Sequence, residues 1–136
     1  MLDDHERVIA HITPAYSDDR GLISNILSGT PIRHIAIITS IQGAIRGNHK
    51  HPAPQWLYIL SGRMLSWSIQ EDGVGHEEVA KEGDLLYCPP NIPHAYYFLE
   101  PTTFLNLDGE PRGDYANDTV PYQIMKRGEH GEPTRV

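Results

Sequence analysis

Two histidines stand one residue apart in the stretch RGNHKHPAPQW, residues 46–56. Imidazole binds divalent transition metals and also transfers protons near neutral pH, so His49 and His51 suit either chemistry. Residues two apart on a strand point to the same face, so both imidazoles could serve one site. Taken alone, the pair is explained equally well by solvated strand histidines.

Gln55 and His94 extend this set toward a metal site. Gln55 opens the next apolar run, and His94 follows a proline-rich turn and begins another strand. Three imidazoles and one oxygen donor would suit zinc, iron, nickel or manganese, although an amide is a weaker donor than a carboxylate. The residues therefore predict either a weakened metal site or an acid–base pair.

The composition limits the classes of protein that the chain could represent. Its 136 residues fit one domain, and 39% hydrophobic residues can form a core. The net charge of -7 argues against binding to a nucleic-acid backbone, and the single cysteine, Cys88, favours a reducing compartment. We find no secretory signal and no apolar run of membrane-spanning length, so we expect a soluble cytoplasmic protein.

The elements that would position these residues are short strands. Eleven prolines and twelve glycines punctuate the chain, and residues 32–41 form a β-branched run typical of a buried strand. Residues 55–70 predict two strands joined as a hairpin at Ser61-Gly62, and residues 71–84 a charged connection. We predict an all-β antiparallel barrel or sandwich with a polar C-terminal arm that is loose after Lys126.

The spacing of these residues resembles the two motifs of the cupin superfamily. Residues 43–62 resemble the first motif, G-x5-H-x-H-x3-E-x6-G, with glutamine at position 55 in place of glutamate. Residues 83–98 resemble the second motif, G-x5-P-x-G-x2-H-x3-N, except at Asn91 and Phe98. The resemblance implies a single cupin domain over residues 1–136, a jelly-roll barrel (double-stranded β-helix) at about 18–110 with an arm at 111–136.

A narrower resemblance extends over residues 18–110. Asp19-Arg20-Gly21, the segment PIRHIAIITS and IRGNHKH are similar to the cupin ketoisomerases and epimerases that act on nucleotide-linked keto-sugars. This resemblance implies an isomerase or epimerase that needs no cofactor, with His49 and His51 as the acid–base pair. Ala36-Ile37 departs from the tyrosines that these enzymes often carry on that strand.

The remaining site predictions concern substrate contacts and follow from that resemblance. Tyr115 is a candidate proton donor, and either Arg20 or Arg46 could face a diphosphate. Strand parity places three residues near the site as substrate-binding candidates: His94, Tyr96 and Phe98.

Two alternatives to the isomerase stay open. One is a metal-dependent dioxygenase or decarboxylase with a His49, His51, Gln55 and His94 site. The other is a barrel that binds a sugar or another small molecule without transforming it. We also expect a homodimer, because edge strands of such barrels often pair.

Overall fold

The computed structural model describes residues 9–111 and 119–136, and its regular structure there consists of β-strands. The strands are β1 Ile9–His11, β2 Tyr16–Asp18, β3 Gly21–Ile23, β4 His34–Ser40, β5 Ile45–Lys50, β6 Gln55–Ser61, β7 Arg63–Ile69, β8 Gly75–Lys81, β9 Asp84–Cys88, β10 His94–Phe98, β11 Thr102–Asp108, β12 Val120–Pro121, β13 Met125–Arg127 and β14 Pro133–Arg135.

Two five-stranded antiparallel sheets make up the barrel, which confirms the predicted all-β jelly roll. One sheet has the order β1-β9-β6-β11-β4, and the other has the order β12-β5-β10-β7-β8. Alternate residues of each strand face the interior, where apolar side chains pack between the sheets. This core comprises Leu57, Ile59, Met64, Ala80, Leu86, Tyr96, Phe98 and Phe104.

The predicted hairpin at Ser61-Gly62 is wrong. β6 pairs with β9 and β11, whereas β7 pairs with β8 and β10, so the chain crosses from one sheet to the other at Gly62. The local sequence shows a turn between two strands but does not decide which sheet each strand joins. The charged connection predicted at residues 71–84 is also largely a strand, β8, which pairs with β7.

Residues 119–136 of the C-terminal arm contain regular structure, contrary to the loose end predicted after Lys126. β13 and β14 form a hairpin, and Met125 is completely buried against the outer face of the second sheet. The guanidinium carbon of Arg135 lies 4.6 Å from the centre of the Trp67 ring. A cation–π contact and a buried methionine thus hold a segment whose composition is polar.

At the other end of the described chain, β1 forms an edge strand that pairs with β9. The outer face of the first sheet carries Trp56 stacked on Tyr87, with ring centres 5.2 Å apart. Residues Ile26, Leu27 and Ile32 pack against this pair.

No helix among the described residues has the length and apolar character needed to span a membrane. The homodimer stays a prediction.

Candidate functional site

Three histidines come together at one end of the barrel. His49 lies on β5, His51 follows that strand, and His94 begins β10, which pairs with β5. One ring nitrogen from each histidine lies within 4.8 Å of the other two. The ring centres are 4.7 to 5.3 Å apart. The sequence motif therefore corresponds to a compact three-imidazole cluster.

Backbone carbonyls fix the orientation of two of these rings. His51 Nδ1 lies 2.9 Å from the Ala53 oxygen, and His94 Nδ1 lies 2.9 Å from the Ile92 oxygen. A carbonyl can only accept, so each Nδ1 carries the proton and each Nε2 keeps its lone pair in the neutral ring. Both side chains are buried, so these hydrogen bonds also fix the rings in place.

A β-bulge at Asn48 sets the direction of His49. His94 pairs with His49 and Ala95 pairs with Gly47, which leaves Asn48 without an opposing residue on β10. Asn48 has φ of 56°, a left-handed conformation that asparagine tolerates better than most residues. Because of this extra residue, Arg46 and His49 line the same cavity although they are three positions apart.

The cavity beside the cluster has a volume of about 300 Å³. Gln55 reaches it from the first sheet, opposite the strands that carry His49 and His94. Its lining residues are Ile38, Arg46, Gly47, His49, Gln55, Leu57, His94, Tyr96, Phe104 and Asn106. The walls are thus partly apolar, with a small number of polar groups.

A second, larger cavity lies on the outer side of the first sheet. Its volume is about 700 Å³, and Trp56 and Tyr87 contribute to its lining. None of the three clustered histidines is among its described lining residues. We therefore place the chemistry in the smaller cavity.

Arg46 combines a structural contact with a place in the cavity lining. Its Nε donates to Ser40 Oγ at 2.7 Å, and its Nη2 donates to the Thr39 oxygen at 3.0 Å. These bonds join β5 of one sheet to β4 of the other. The exposed guanidinium is the one lining group with a permanent charge among the described residues.

The other predicted substrate contacts fall in three different places. Tyr96 lines the cavity, with its ring centre 5.4 Å from that of His94. Phe98 shares its strand face but lies deeper, fully buried and stacked on Phe104, so we correct its assignment from substrate contact to core. Tyr115 lies outside the described residues.

Arg20 belongs to a different part of the surface. It is exposed near the turn between β2 and β3, and its Nη2 lies 2.6 Å from Asp18 Oδ2. Hydrogen bonds from the Arg20 side chain hold the pKa of Asp18 below its ordinary value. Arg20 is not a lining residue of the cavity that His49 and His94 line; it lines a separate surface pocket with Tyr16 and Asp18.

Sequence reasoning missed a buried carboxylate behind the cavity. Asp108 is fully buried and lies near His34, Gln55 and Asn106, within hydrogen-bonding distance of each. The signal was the alternation in the run TTFLNLD, residues 102–108, where Thr102, Phe104, Asn106 and Asp108 share the buried face. Strand parity could therefore have identified both Asn106 and Asp108.

The donor atoms of the cluster fit a divalent transition metal. Two of the three imidazoles have their Nδ1 atoms bonded to carbonyls, the arrangement that orients metal-binding histidines in proteins. Gln55 lines the same cavity from the facing sheet, and its amide group carries one oxygen donor. The same Nε2 lone pairs could also accept a proton, so the donor set alone fits both of the chemistries predicted above.

Comparisons with known proteins place the barrel among cupins. The family model for the cupin domain matches residues 37–108. Residues of this chain are 36% identical over 58 positions to oxalate decarboxylase OxdC of Bacillus subtilis, covering 43% of this chain and 15% of that protein. They are 30% identical over 93 positions to 3-hydroxyanthranilate 3,4-dioxygenase of Mycosarcoma maydis, covering 65% and 49%. The chain thus spans less than half the length of these curated relatives.

Two solved structures show the same fold at low sequence identity. The 3'-monoepimerase ChmJ of Streptomyces bikiniensis, in complex with dTDP-quinovose, matches with a TM-score of 0.71 and 16% identity, over 82% of this chain and 67% of that one. The 3,4-ketoisomerase QdtA of Thermoanaerobacterium thermosaccharolyticum matches with a TM-score of 0.67 and 21% identity, over 88% of both chains. The predicted likeness to the sugar epimerases and ketoisomerases is confirmed at the level of the fold.

Proposed function

Because this chain belongs to the cupin family, whose domain model matches residues 37–108, we propose that it is a metal-dependent enzyme acting on a small carboxylate-bearing substrate. The proposed ligands are His49, His51 and His94, with Gln55 as an oxygen donor from the facing sheet. The observation that carries this proposal is the convergence of three imidazole nitrogens within 4.8 Å, together with the two Nδ1–carbonyl bonds. The reaction class is that of the curated relatives, a decarboxylation or a dioxygenation.

The cavity supports the assignment of a small, negatively charged substrate. A volume of about 300 Å³ is at the lower end of the range for small-molecule sites. Arg46 is the lining residue with a permanent positive charge, and a guanidinium matches the two oxygens of a carboxylate. Leu57 and Phe104 supply an apolar wall that would strengthen this electrostatic contact by excluding water.

The protein groups would divide the work of binding and orientation. A bound divalent ion would supply Lewis-acid stabilisation of negative charge on a substrate oxygen. The Ala53 and Ile92 carbonyls hold the His51 and His94 rings in one tautomer and one direction. Tyr96 and Arg46 would orient the substrate beside the cluster, and the buried position of His51 and His94 limits solvent access.

Elemental analysis and metal titration test this proposal directly. We expect protein purified without chelators to contain about one divalent transition metal per chain, and the metal-free protein to bind Co²⁺ with a visible absorption spectrum. His49→Ala, His51→Ala and His94→Ala should each abolish tight binding. His76→Ala, which removes an exposed histidine of β8, is the matched control. Failure of the wild-type protein to bind any such metal would overturn the proposal.

A nucleotide-linked keto-sugar isomerase or epimerase is the second candidate. The specific support is the fold shared with ChmJ and with QdtA, which matches over 88% of both chains, and the closeness of His49 and His51, whose ring centres lie 5.3 Å apart. Moving a ketone between adjacent carbons requires removal of an α-proton and its return to a neighbouring atom. The Nε2 lone pair of His51 and the neighbouring His49 imidazole would suit that work.

Hydrogen exchange separates the two candidates. Metal-free protein is incubated in heavy water with a panel of nucleotide-linked 4-keto sugars, and deuterium at the α-carbon is followed by NMR. Exchange that persists without metal and is lost in His49→Ala or His51→Ala would favour the isomerase. Tight sugar binding that survives the double substitution, with no turnover, would instead favour a binding module.

A further inference from the structure

The amide of Gln55 faces a buried carboxylate on the adjacent strand. Gln55 Nε2 lies 3.3 Å from Asp108 Oδ1, and the two residues are register partners on β6 and β11. Asn106 Nδ2 lies 2.8 Å from Asp108 Oδ2, so the same carboxylate accepts from a second amide. Both amides belong to residues that line the cavity.

Both Asp108 oxygens accept hydrogen bonds from amide nitrogens, and an amide can donate only through its NH₂ group. The NH₂ group of Gln55 must point toward Asp108, and its Oε1 atom then points away from the carboxylate. We propose that Asp108 is a positioning residue that makes Gln55 present its carbonyl oxygen, and not its NH₂ group, to the three-histidine cluster. This inference rests on the proposed metal site, because an amide binds a cation only through its oxygen.

The same contact accounts for the glutamine in the first motif. A glutamate at position 55 would place a second carboxylate beside Asp108, at a distance near the present 3.3 Å. Two carboxylates in a buried position repel each other strongly. The motif usually has a carboxylate at this position. In this chain the position holds the amide of Gln55, which is hydrogen-bonded to the carboxylate of Asp108 on the adjacent strand.

His34 completes the surroundings of Asp108. Its Nδ1 lies 2.8 Å from Asp108 Oδ2, and its side chain is 30% exposed whereas that of Asp108 is fully buried. His34, Asp108 and Gln55 stand in one row across β4, β11 and β6. Three side chains therefore satisfy the buried oxygen atoms of Asp108 and hold the group in one orientation.

Asp108→Asn is the first test, because it keeps the shape and removes one acceptor oxygen. We expect Co²⁺ affinity, measured by titration calorimetry on the full chain, to fall about 10- to 100-fold, the usual effect of losing a group that orients a metal ligand. Asp84→Asn is the matched control. Asp84 is also a buried aspartate bonded to a histidine, His11. It lies at the start of β9, whereas Cys88 at the other end of that strand is the residue that contacts His94. Its affinity should stay within about twofold of the wild type.

The second test is a double-mutant cycle on Gln55 and Asp108. Gln55→Glu alone should lower the midpoint of urea unfolding, and adding Asp108→Asn should restore it, because the second change removes the repulsion. Gln55→Glu with a midpoint at or above the wild-type value, and no coupling to Asp108→Asn, would overturn the inference.

A third readout does not depend on metal binding. In the ¹⁵N spectrum, the side-chain NH₂ resonances of Gln55 should shift in Asp108→Asn but not in Asp84→Asn. If the wild-type protein bound no Co²⁺, the proposed function would fail while this spectrum and the unfolding cycle still tested the orientation of Gln55. Unshifted Gln55 resonances in Asp108→Asn would count against the positioning role whatever the metal result.

Discussion

The side chain of Asn48 joins the bulge beside His49 to the backbone of Met125 in the C-terminal arm. Its Oδ1 accepts hydrogen bonds from the amides of Met125 and Ile124, each at 3.0 Å, and its Nδ2 donates to the Met125 oxygen at 3.0 Å. The Asn48 carbonyl also accepts from Tyr122 N at 2.8 Å. The arm therefore braces the strand that carries the first histidine of the cluster.

Asn48→Gly should destabilise the protein by about 1–3 kcal/mol, because it removes three side-chain hydrogen bonds while allowing the left-handed backbone. Asn48→Ala should be worse than Asn48→Gly by about 1 kcal/mol, since alanine does not tolerate that backbone. Urea unfolding of the full chain measures both. Tyr97→Phe, which removes one hydrogen bond to the arm at Gly131 and none to β5, is the control and should cost less. Wild-type stability in Asn48→Gly would contradict the bracing role.

Gly47→Ala should disrupt the pairing of β5 with β10. A Cβ at this position would lie 2.8 Å from the His94 oxygen and 3.1 Å from Ala95 Cα, and φ there is 88°. We expect a loss of about 2–4 kcal/mol in the free energy of unfolding, combining backbone strain with steric overlap. Gly73→Ala separates the two causes, because φ is 80° there but no atom lies within 4 Å of the added Cβ. Equal losses for the two variants would show that the close approach of the strands does not matter.

Arg20→Gln should leave the three-histidine site unchanged. The arginine pairs with Asp18 on the exposed β2–β3 hairpin, so Co²⁺ affinity should stay within about twofold of the wild type. Arg46→Gln is the comparison, and it should weaken binding of a carboxylate ligand such as oxalate. An equal loss of oxalate binding in Arg20→Gln would contradict this division between the two arginines.

The same variant has a predicted effect on pH dependence. The Arg20 side chain lowers the pKa of Asp18 in the folded protein, so the contact stabilises the fold above the unfolded pKa of Asp18 and is lost as the pH falls through the lowered value. Arg20→Gln should therefore raise the pKa of Asp18 toward its ordinary value. An NMR titration of the Asp18 carboxyl group measures the change. An unchanged pKa would mean that the pair does not form in solution.

Local spacing predicted much of the site but not the sheet pairing. His49, His51 and His94 meet because the motif spacing places them at one end of adjacent strands, and Gln55 lines the same cavity as His49 and His94. The predicted hairpin failed because consecutive strands of this fold lie in different sheets, a choice made by long-range burial. The sequence shows which residues of a strand share a face, but it does not show which strands pair with each other.

The bulge and the ordered arm could not be read from the sequence for a related reason. Asn48 shifts the register of β5 through a backbone conformation that depends on contacts with residues 122–125, more than seventy positions away. Similarly, Met125 packs on the outer face of the second sheet. The sequence alone does not show that this face is free to receive it. Polar composition predicted exposure, and tertiary contacts overrode it.

Cys88 should be structural, because the fold buries it completely. Its Sγ lies 3.1 Å from His94 Nδ1, and that nitrogen already donates a hydrogen bond to the Ile92 carbonyl. Because that carbonyl is sufficient to orient the ring, Cys88→Ala should keep Co²⁺ affinity within about threefold of the wild type. It should lower the free energy of unfolding by about 1 kcal/mol through the space left by the sulfur. A soluble disulfide reagent should label the thiol only after unfolding, and rapid labelling of the folded protein would contradict its burial.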